Sequence, residues 1–265
     1  MRRWPTIKDM NAPLSIPSPS AARTERLADW ADRVAAEDFR FVDSEAMRAQ
    51  LGSDALVAWA GFADSWNRLE LDTYMADGGS YRRRRYATLS ASAQGETLQV
   101  EPHQPHYQSL DYNRLNGGVA RHFAPIETEV LHGATLQAAL RLGLALFQCL
   151  HGPSEAHVEV HQFRIEARAD ALGRPTPEGA HRDGVDFVLV MLVARHNIMS
   201  GTTEIFDLQG QRRDSFTLTL PGDSALVNDA KALHGVTAIS PIDARQPAWR
   251  DVLVATYRAV AKPEA

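Results

Sequence analysis

The spacing of polar and apolar positions changes period along the chain and divides it into a helical stretch and a strand-rich one. Between Ala21 and Ala36, Leu27, Trp30, Ala31 and Val34 recur at i, i+3, i+4 and i+7, the pattern of one buried helix face. Phe39 to Val42 has the length of a short strand. Ser44 stands as the N-cap of a helix through Leu51, and Ser53 as that of another through about Ala63. After Gly78-Gly79 the period becomes two. From Tyr81 to Ser90 one face takes Tyr81, Arg83, Arg85, Ala87 and Leu89, and the other takes Arg82, Arg84, Tyr86, Thr88 and Ser90. The first face is the more apolar and is predicted to look inward, carrying Arg83 and Arg85 toward the interior. Residues 102–127 read as loop with short strands, able to close over a site. Thr135 to Leu150 is the clearest helix, with a broad apolar stripe that suits a brace on a sheet and an end at Gly152-Pro153.

From His157 onward the chain reads as strand after strand. His157–Ala167, Asp186–Arg195, Thr202–Leu208, Ser215–Leu220, Asp223–Val227, Gly235–Ile239 and Asp251–Val260 are separated by turn residues such as Gly210, Pro221-Gly222 and Pro241. This order predicts a mainly β fold with flanking helices (α+β). A helical prelude covers 21–65, and a barrel with its brace helix covers 80–262. Residues 1–20 are rich in Pro and Ser without an apolar period and read as an extended or disordered arm.

Composition narrows the picture. At 265 residues and 44% hydrophobic content, the chain can bury a core, and residues 21–265 are expected to form one domain. A net charge of -5 leaves no electrostatic footprint for nucleic acid, and the only basic run is Arg82 to Arg85. The N-terminus, continuing Trp4-Pro5-Thr6-Ile7-Lys8-Asp9, lacks the apolar h-region of a secretory signal, and no stretch approaches the apolar length of a membrane span, so the expectation is a soluble, cytoplasmic protein. The single cysteine, Cys149, lies in an apolar helical stretch and is expected to be a buried, inert thiol.

The candidate chemistry lies in Pro177-Glu178-Gly179-Ala180-His181-Arg182-Asp183-Gly184, where a loop feeds a strand. A His and an Asp one residue apart can turn toward the same ion, since alternate strand residues share a face. His234 stands at a second loop-to-strand junction. Two imidazoles and a carboxylate on one side of an ion leave its other side open, the facial triad of non-haem Fe(II) oxygenases. His157-Val158-Glu159 offers a rival pair, ranked lower because its neighbours suggest a regular sheet position. Asp229 reads as a turn residue or a partner of the ligands. Gln162 and Arg164 either line a pocket or pair with neighbours.

Several stretches together resemble the bacterial 2-oxoglutarate/Fe(II) dioxygenases that include the free L-isoleucine 4-hydroxylases and their biofilm- and motility-associated relatives. They are Ala76 to Tyr86, Tyr112-Asn113 with Gly117-Gly118, His161 to Arg164, Pro177 to Gly184, Leu220 to Asp223, His234 to Thr237 and Arg250 to Val254. One departure is Met199-Ser200-Gly201, where a Gly-Gly pair is expected. The resemblance implies a double-stranded β-helix (jelly-roll, cupin-like) barrel, with which the run of strands agrees. It implies Fe(II), 2-oxoglutarate and O2 at His181, Asp183 and His234, with the far carboxylate of 2-oxoglutarate on a deep cation. Arg250, opening the last strand, is the first choice for that cation, ahead of Arg245 in a solvent-screened loop and Arg258 further along the strand. A free aliphatic L-amino acid or similar small molecule is the implied substrate, its carboxylate received by Arg83 or Arg85 unless those arginines only pair with neighbouring acids. A sensor that binds a small ligand or a metal on the same barrel, without turnover, is the alternative.

Overall fold

The structure, a computed structural model, describes residues 21–93, 97–113, 115 and 117–260; the expected N-terminal arm lies outside them. The amphipathic pattern of the prelude becomes α1 (Ala21–Glu37), whose Trp30, Ala31 and Val34 are buried as their spacing predicts. β1 (Phe39–Val42) and α2 (Ser44–Leu51) follow. The cap of α2 is Asp43, one residue before the expected Ser44; its carboxylate accepts from Ala46 N at 2.8 Å. Ser44 instead ties the prelude to the barrel. Its N–H donates to Asp223 Oδ1 and its hydroxyl to the Pro221 carbonyl, while Asp223 Oδ2 accepts from Thr219 and Leu220 N. The helix expected from Ser53 is broken at Ala58 into α3 (Ser53–Val57) and α4 (Trp59–Asp64).

One large sheet forms the back of the molecule. Its order is β1, β10 (Ser224–Asn228), β6 (Phe187–His196), β13 (Ala248–Ala259), β5 (Ala156–Ala167), β3 (Arg82–Ala91) and β2 (Glu70–Leu71), with β4 (Leu98–Val100) also paired to β3. A second layer is made by β11 (Leu233–Val236), β8 (Thr202–Phe206) and β9 (Arg212–Thr217), and by the pair β7 (Ile198–Ser200) and β12 (Ile239–Pro241). All pairings among these strands are antiparallel. These two layers are the walls of the expected jelly-roll barrel. The strand expected at Gly235–Ile239 is thus two, β11 and β12, and the one expected at Ser215–Leu220 starts earlier, at Arg212.

The outer face of the large sheet is covered by helices. After the short α5 (Thr128–Leu131), α6 (Ala134–His151) lays Leu136, Leu140, Leu144 and Phe147 into the main core with α1 and with Ala87, Leu89 and Tyr257 of the sheet. Tyr257 Oη donates to the Leu140 carbonyl at 2.9 Å, and a side chain on Gly143 would meet that same hydroxyl at 2.3 Å. Close approach of brace to sheet therefore requires glycine there. Cys149 is exposed, contrary to the expected burial, because it falls on the side of α6 away from that stripe. Among the described residues no helix is long and apolar enough to cross a membrane.

The large sheet is buried on both faces, and this reverses the expected parity of β3. Ala87, Leu89 and Ala91 face the helical core. Arg83 and Arg85 share that side but lie beyond the helices, where Arg83 pairs with Glu166 at 2.7 Å and Arg85 donates to the Pro125 carbonyl. Arg82, Arg84 and Tyr86 are the ones that face between the sheets, each nearly fully buried. The apolar face of β3, expected to look inward, is covered by the helical layer and does not look into the barrel; the polar face does.

Candidate active site

Two segments exchange a pair of hydrogen bonds at the barrel mouth. His181 N donates to the His234 carbonyl at 3.0 Å, and His234 N to the His181 carbonyl at 2.9 Å. This bridge sets the two rings side by side, centroids 4.8 Å apart. Asp183, two residues on, turns its carboxylate between them, with Oδ1 3.5 Å from His181 Nε2 and Oδ2 3.6 Å from His234 Nε2. Donor atoms at this separation can all sit about 2 Å from one ion. His181 Nδ1 lies 3.0 Å from the Gly179 carbonyl, which can only accept, so Nδ1 carries the proton and Nε2 offers its lone pair to the shared volume.

Asp229, fully buried, holds this loop in place. Its carboxylate accepts from the backbone N–H groups of Asp183, Gly184 and Val185 at 2.9 to 3.1 Å. Gly184 has φ +81, and a Cβ there would lie 2.5 Å from the Tyr112 ring. Gln108 adds a hydrogen bond to the Asp183 carbonyl at 3.3 Å, so part of the 102–127 segment closes over the site. The electrostatics call for a cation. Against the cost of burial, Asp183 and Glu178 push His181 up to about 9, and burial with the nearby Asp183 charge pushes Asp229 up to about 7. A metal ion bound in the shared volume would take the place of the proton that His181 otherwise holds.

The triad opens on a cavity of about 130 Å³ between the two sheets. Arg250 lies in its wall at 2% exposure, with Nε and Nη2 lacking hydrogen-bond partners. Burial and the neighbouring Arg195 charge press it down to about 10. An unpaired guanidinium in such surroundings is costly unless an anion meets it. Arg250 lies across the cavity from His234, on the opposing sheet: β13 runs between β5 and β6, whereas β11 pairs with β8. Arg245 is exposed in its loop beside Asp243 at 3.1 Å, and Arg258 is exposed near the end of β13; neither lines the cavity.

A second wall carries Arg84, Arg121, His106 and His161, to which the sequence pattern assigns no role. Arg84 Nη2 lies 2.6 Å from His161 Nδ1, and Arg121 Nη2 lies 2.8 Å from His106 Nδ1. Both imidazoles turn Nε2 toward Glu159, at 3.5 Å from His106 and 4.0 Å from His161, and Tyr86 Oη donates to the same carboxylate at 2.8 Å. Arg82 pairs with buried Asp72 at 2.7 Å. The rival residue Glu159 thus belongs to this network, and His157 stands beside it at 3.7 Å. Gln162 and Arg164 do not line the cavity: Gln162 donates to Ser65 Oγ, and Arg164 makes two 2.7 Å bonds to Asp251. Parity on β3 was the signal for Arg82 and Arg84, had both faces been taken as buried; nothing in its sequence neighbourhood marks Arg121.

The departure at Met199-Ser200-Gly201 has a visible shape. Asn197 and Ser200 take positive φ, 51 and 62, in the turns around β7, so Ser200 adopts the left-handed backbone that a glycine would otherwise supply.

Two imidazoles and a carboxylate that leave one side of an ion open match the donor set of non-haem Fe(II) oxygenases. The chain belongs to the 2OG-Fe dioxygenase family, whose model matches residues 63–256. Enzymes of this family use Fe(II), 2-oxoglutarate and O2, and the enzyme reading therefore stands over the sensor. Among solved structures, a BsmA homologue from Methylobium petroleophilum is 36% identical with a TM-score of 0.79, covering 95% of this chain and 96% of that one. The 3(1)-hydroxy-L-isoleucine 4-dioxygenase of Pantoea ananatis is 24% identical over 88% of this chain and 96% of its own length. The L-isoleucine-4-hydroxylase of Bacillus thuringiensis is 22% identical over 71% of this chain and 80% of its own.

Proposed function

We propose that the enzyme holds Fe(II) through His181, Asp183 and His234, anchors the distal carboxylate of 2-oxoglutarate on Arg250, and hydroxylates or S-oxidises a free aliphatic L-amino acid or similar small substrate. The observation that carries this reading is the pairing, in one cavity, of an open-faced donor set with a buried guanidinium lacking partners. Fe(II) and 2-oxoglutarate supply the oxygen chemistry when bound, with succinate and CO2 as coproducts. The chain's own residues orient and exclude water. Asp229 fixes the ligand loop, Gln108 and Tyr112 cover it, and Arg250 sets the direction of the cosubstrate.

The substrate class is supported by the isoleucine hydroxylases among the relatives and by the size of the cavity. For the substrate carboxylate, Arg84 and Arg121 replace the earlier candidates Arg83 and Arg85, which face away. The test is succinate production from 2-oxoglutarate with and without leucine, isoleucine and methionine. Amino-acid-dependent succinate supports the reading, and stimulation by matching amines or peptides in place of the free acids overturns it.

A further inference from the structure

Glu178 stands apart from every other acid around the cavity. Glu159 is met by Tyr86 Oη and two imidazoles, and Asp183 lies between His181 and His234. Glu178 lines the same cavity with Oε2 buried and without a hydrogen-bond partner, and its Oε1 lies 3.6 Å from His181 Nε2. A buried acceptor left unmet is expensive, so such a group signals a donor that arrives with the ligand.

The charges on the walls say which donor. Asp72 answers Arg82 at 2.7 Å, and Arg250 awaits the cosubstrate. Asp72 also stands 3.8 Å from Arg84, so Arg82, Arg84 and Arg121 together face two carboxylates, Asp72 and Glu159, and the two imidazoles beside Glu159 stay neutral, since each accepts from a guanidinium and burial holds both below their ordinary values. One positive charge is therefore left over there, while Glu178, whose Oε1 stands beside His181, keeps Oε2 as an unmet acceptor on the cavity. The two are close enough for Glu178 to act on Arg121: burial and Arg82 press that guanidinium down, and Asp72, Glu178 and Glu159 partly offset them. A free α-amino acid carries its ammonium and carboxylate on one carbon, about 3 Å apart.

We infer that Glu178 receives the ammonium group of the substrate while Arg84 and Arg121 receive its carboxylate, so that the pocket selects primary α-amino acids and rejects N-acylated ones. This rests on the amino-acid reading above and deepens it. Glu178 is on this account a substrate-binding residue, placed on the iron side of the cavity so that binding the amine also fixes the side chain relative to the metal.

The experiment is anaerobic calorimetry on the enzyme loaded with Fe(II) and 2-oxoglutarate, titrated with L-leucine, N-acetyl-L-leucine and 4-methylpentanoate, for wild type and Glu178→Gln. The expected result is that wild type binds leucine on the order of 10- to 150-fold tighter than the other two, the size of a hydrogen bond to a charged group. Glu178→Gln should erase the difference while Fe(II) affinity holds. Equal binding of all three by wild type, or undiminished preference in Glu178→Gln, overturns the inference and leaves the carboxylate reading standing. Loss of Fe(II) from Glu178→Gln also overturns it, by making Glu178 a metal ligand. If none of the three binds, the small amino-acid reading falls, and the ammonium site with it.

Discussion

His181, Asp183 and His234 on one side of the cavity, and His106, Glu159 and His161 on the other, each bring donor atoms of two imidazoles and a carboxylate within 4.8 Å of one another. Counted by residue type the clusters are alike. They differ in what stands at Nδ1; at His234 it is the Asp229 carboxylate, 3.8 Å away and not hydrogen-bonded. At His181 it is a carbonyl, which forces the proton onto Nδ1 and leaves Nε2 bare toward the shared volume. At His106 and His161 it is a guanidinium, which can only donate, so Nδ1 is bare and the proton of each neutral ring sits on Nε2, aimed at Glu159. The second cluster therefore turns protonated Nε2 atoms toward Glu159 with two cations at its back, and a metal ion there would have to displace protons and approach those cations. Metal competence is decided by the partner of the far nitrogen and by neighbouring charge, as much as by the ligand trio.

The most severe test of that difference is metal stoichiometry. The protein should bind one equivalent of Fe(II), or of Co(II) as a spectroscopic substitute. His181→Ala and His234→Ala should abolish both binding and 2-oxoglutarate turnover, whereas His161→Gln should leave the stoichiometry at one. Two equivalents in wild type, or undiminished turnover in His181→Ala, would break the distinction. Next in size is Arg250→Ala, which removes a charge-assisted contact to a desolvated carboxylate. The expected cost is about 2 to 5 kcal/mol, read as a rise in the 2-oxoglutarate KM. An unchanged KM in Arg250→Ala together with a raised one in Arg245→Ala would reverse the assignment.

Two smaller effects probe each cluster separately. Arg84→Gln should raise the amino-acid KM by about 10- to 150-fold, the worth of a hydrogen bond to a charged group, with the 2-oxoglutarate KM little changed. Asp229→Asn presents an amide to three backbone N–H groups that need acceptors. Its expected effect is a metal affinity about 10- to 100-fold weaker, followed by Co(II) titration. An unaltered affinity would mean that the His181 loop holds its shape without Asp229.

Much of this was legible in the sequence, and the failures have physical causes. The grouping of His181, Asp183 and His234 could be read because the residues stand where loops enter strands, and the brace helix because its apolar stripe has a partner on one side only. Asp43 was missed as a cap because Ser44 next to it is an equally good cap by type; the choice falls to Asp223, which captures the Ser44 N–H from 179 residues away. Arg121 and Glu178 could not be assigned roles, since their function depends on which charges across the cavity remain unanswered, and that is a property of the assembled walls. Cys149 was misplaced because an apolar helix can still have one wet side.

The parity of β3 yields the smallest effect and a sharp one. Alternation along Tyr81–Ser90 was read correctly as a strand, but hydrophobicity identifies a covered face without saying what covers it. Ala87 and Leu89 lie under helices, and Arg83, on the same side past their edge, meets Glu166 at 2.7 Å with 38% of its side chain exposed. Screened ion pairs of this kind contribute about 0 to 1 kcal/mol. Arg83→Gln should therefore leave turnover and both KM values unchanged and shift the denaturation midpoint only slightly, while Arg84→Gln, one residue on, impairs substrate binding. The comparison is made at one site on one strand, so differences in expression or overall folding cancel when both variants are measured by urea melts and steady-state kinetics together. Should Arg83→Gln raise the amino-acid KM and Arg84→Gln not, the substrate lies on the helical side of the sheet, and the cavity between the sheets is not where the amino acid binds.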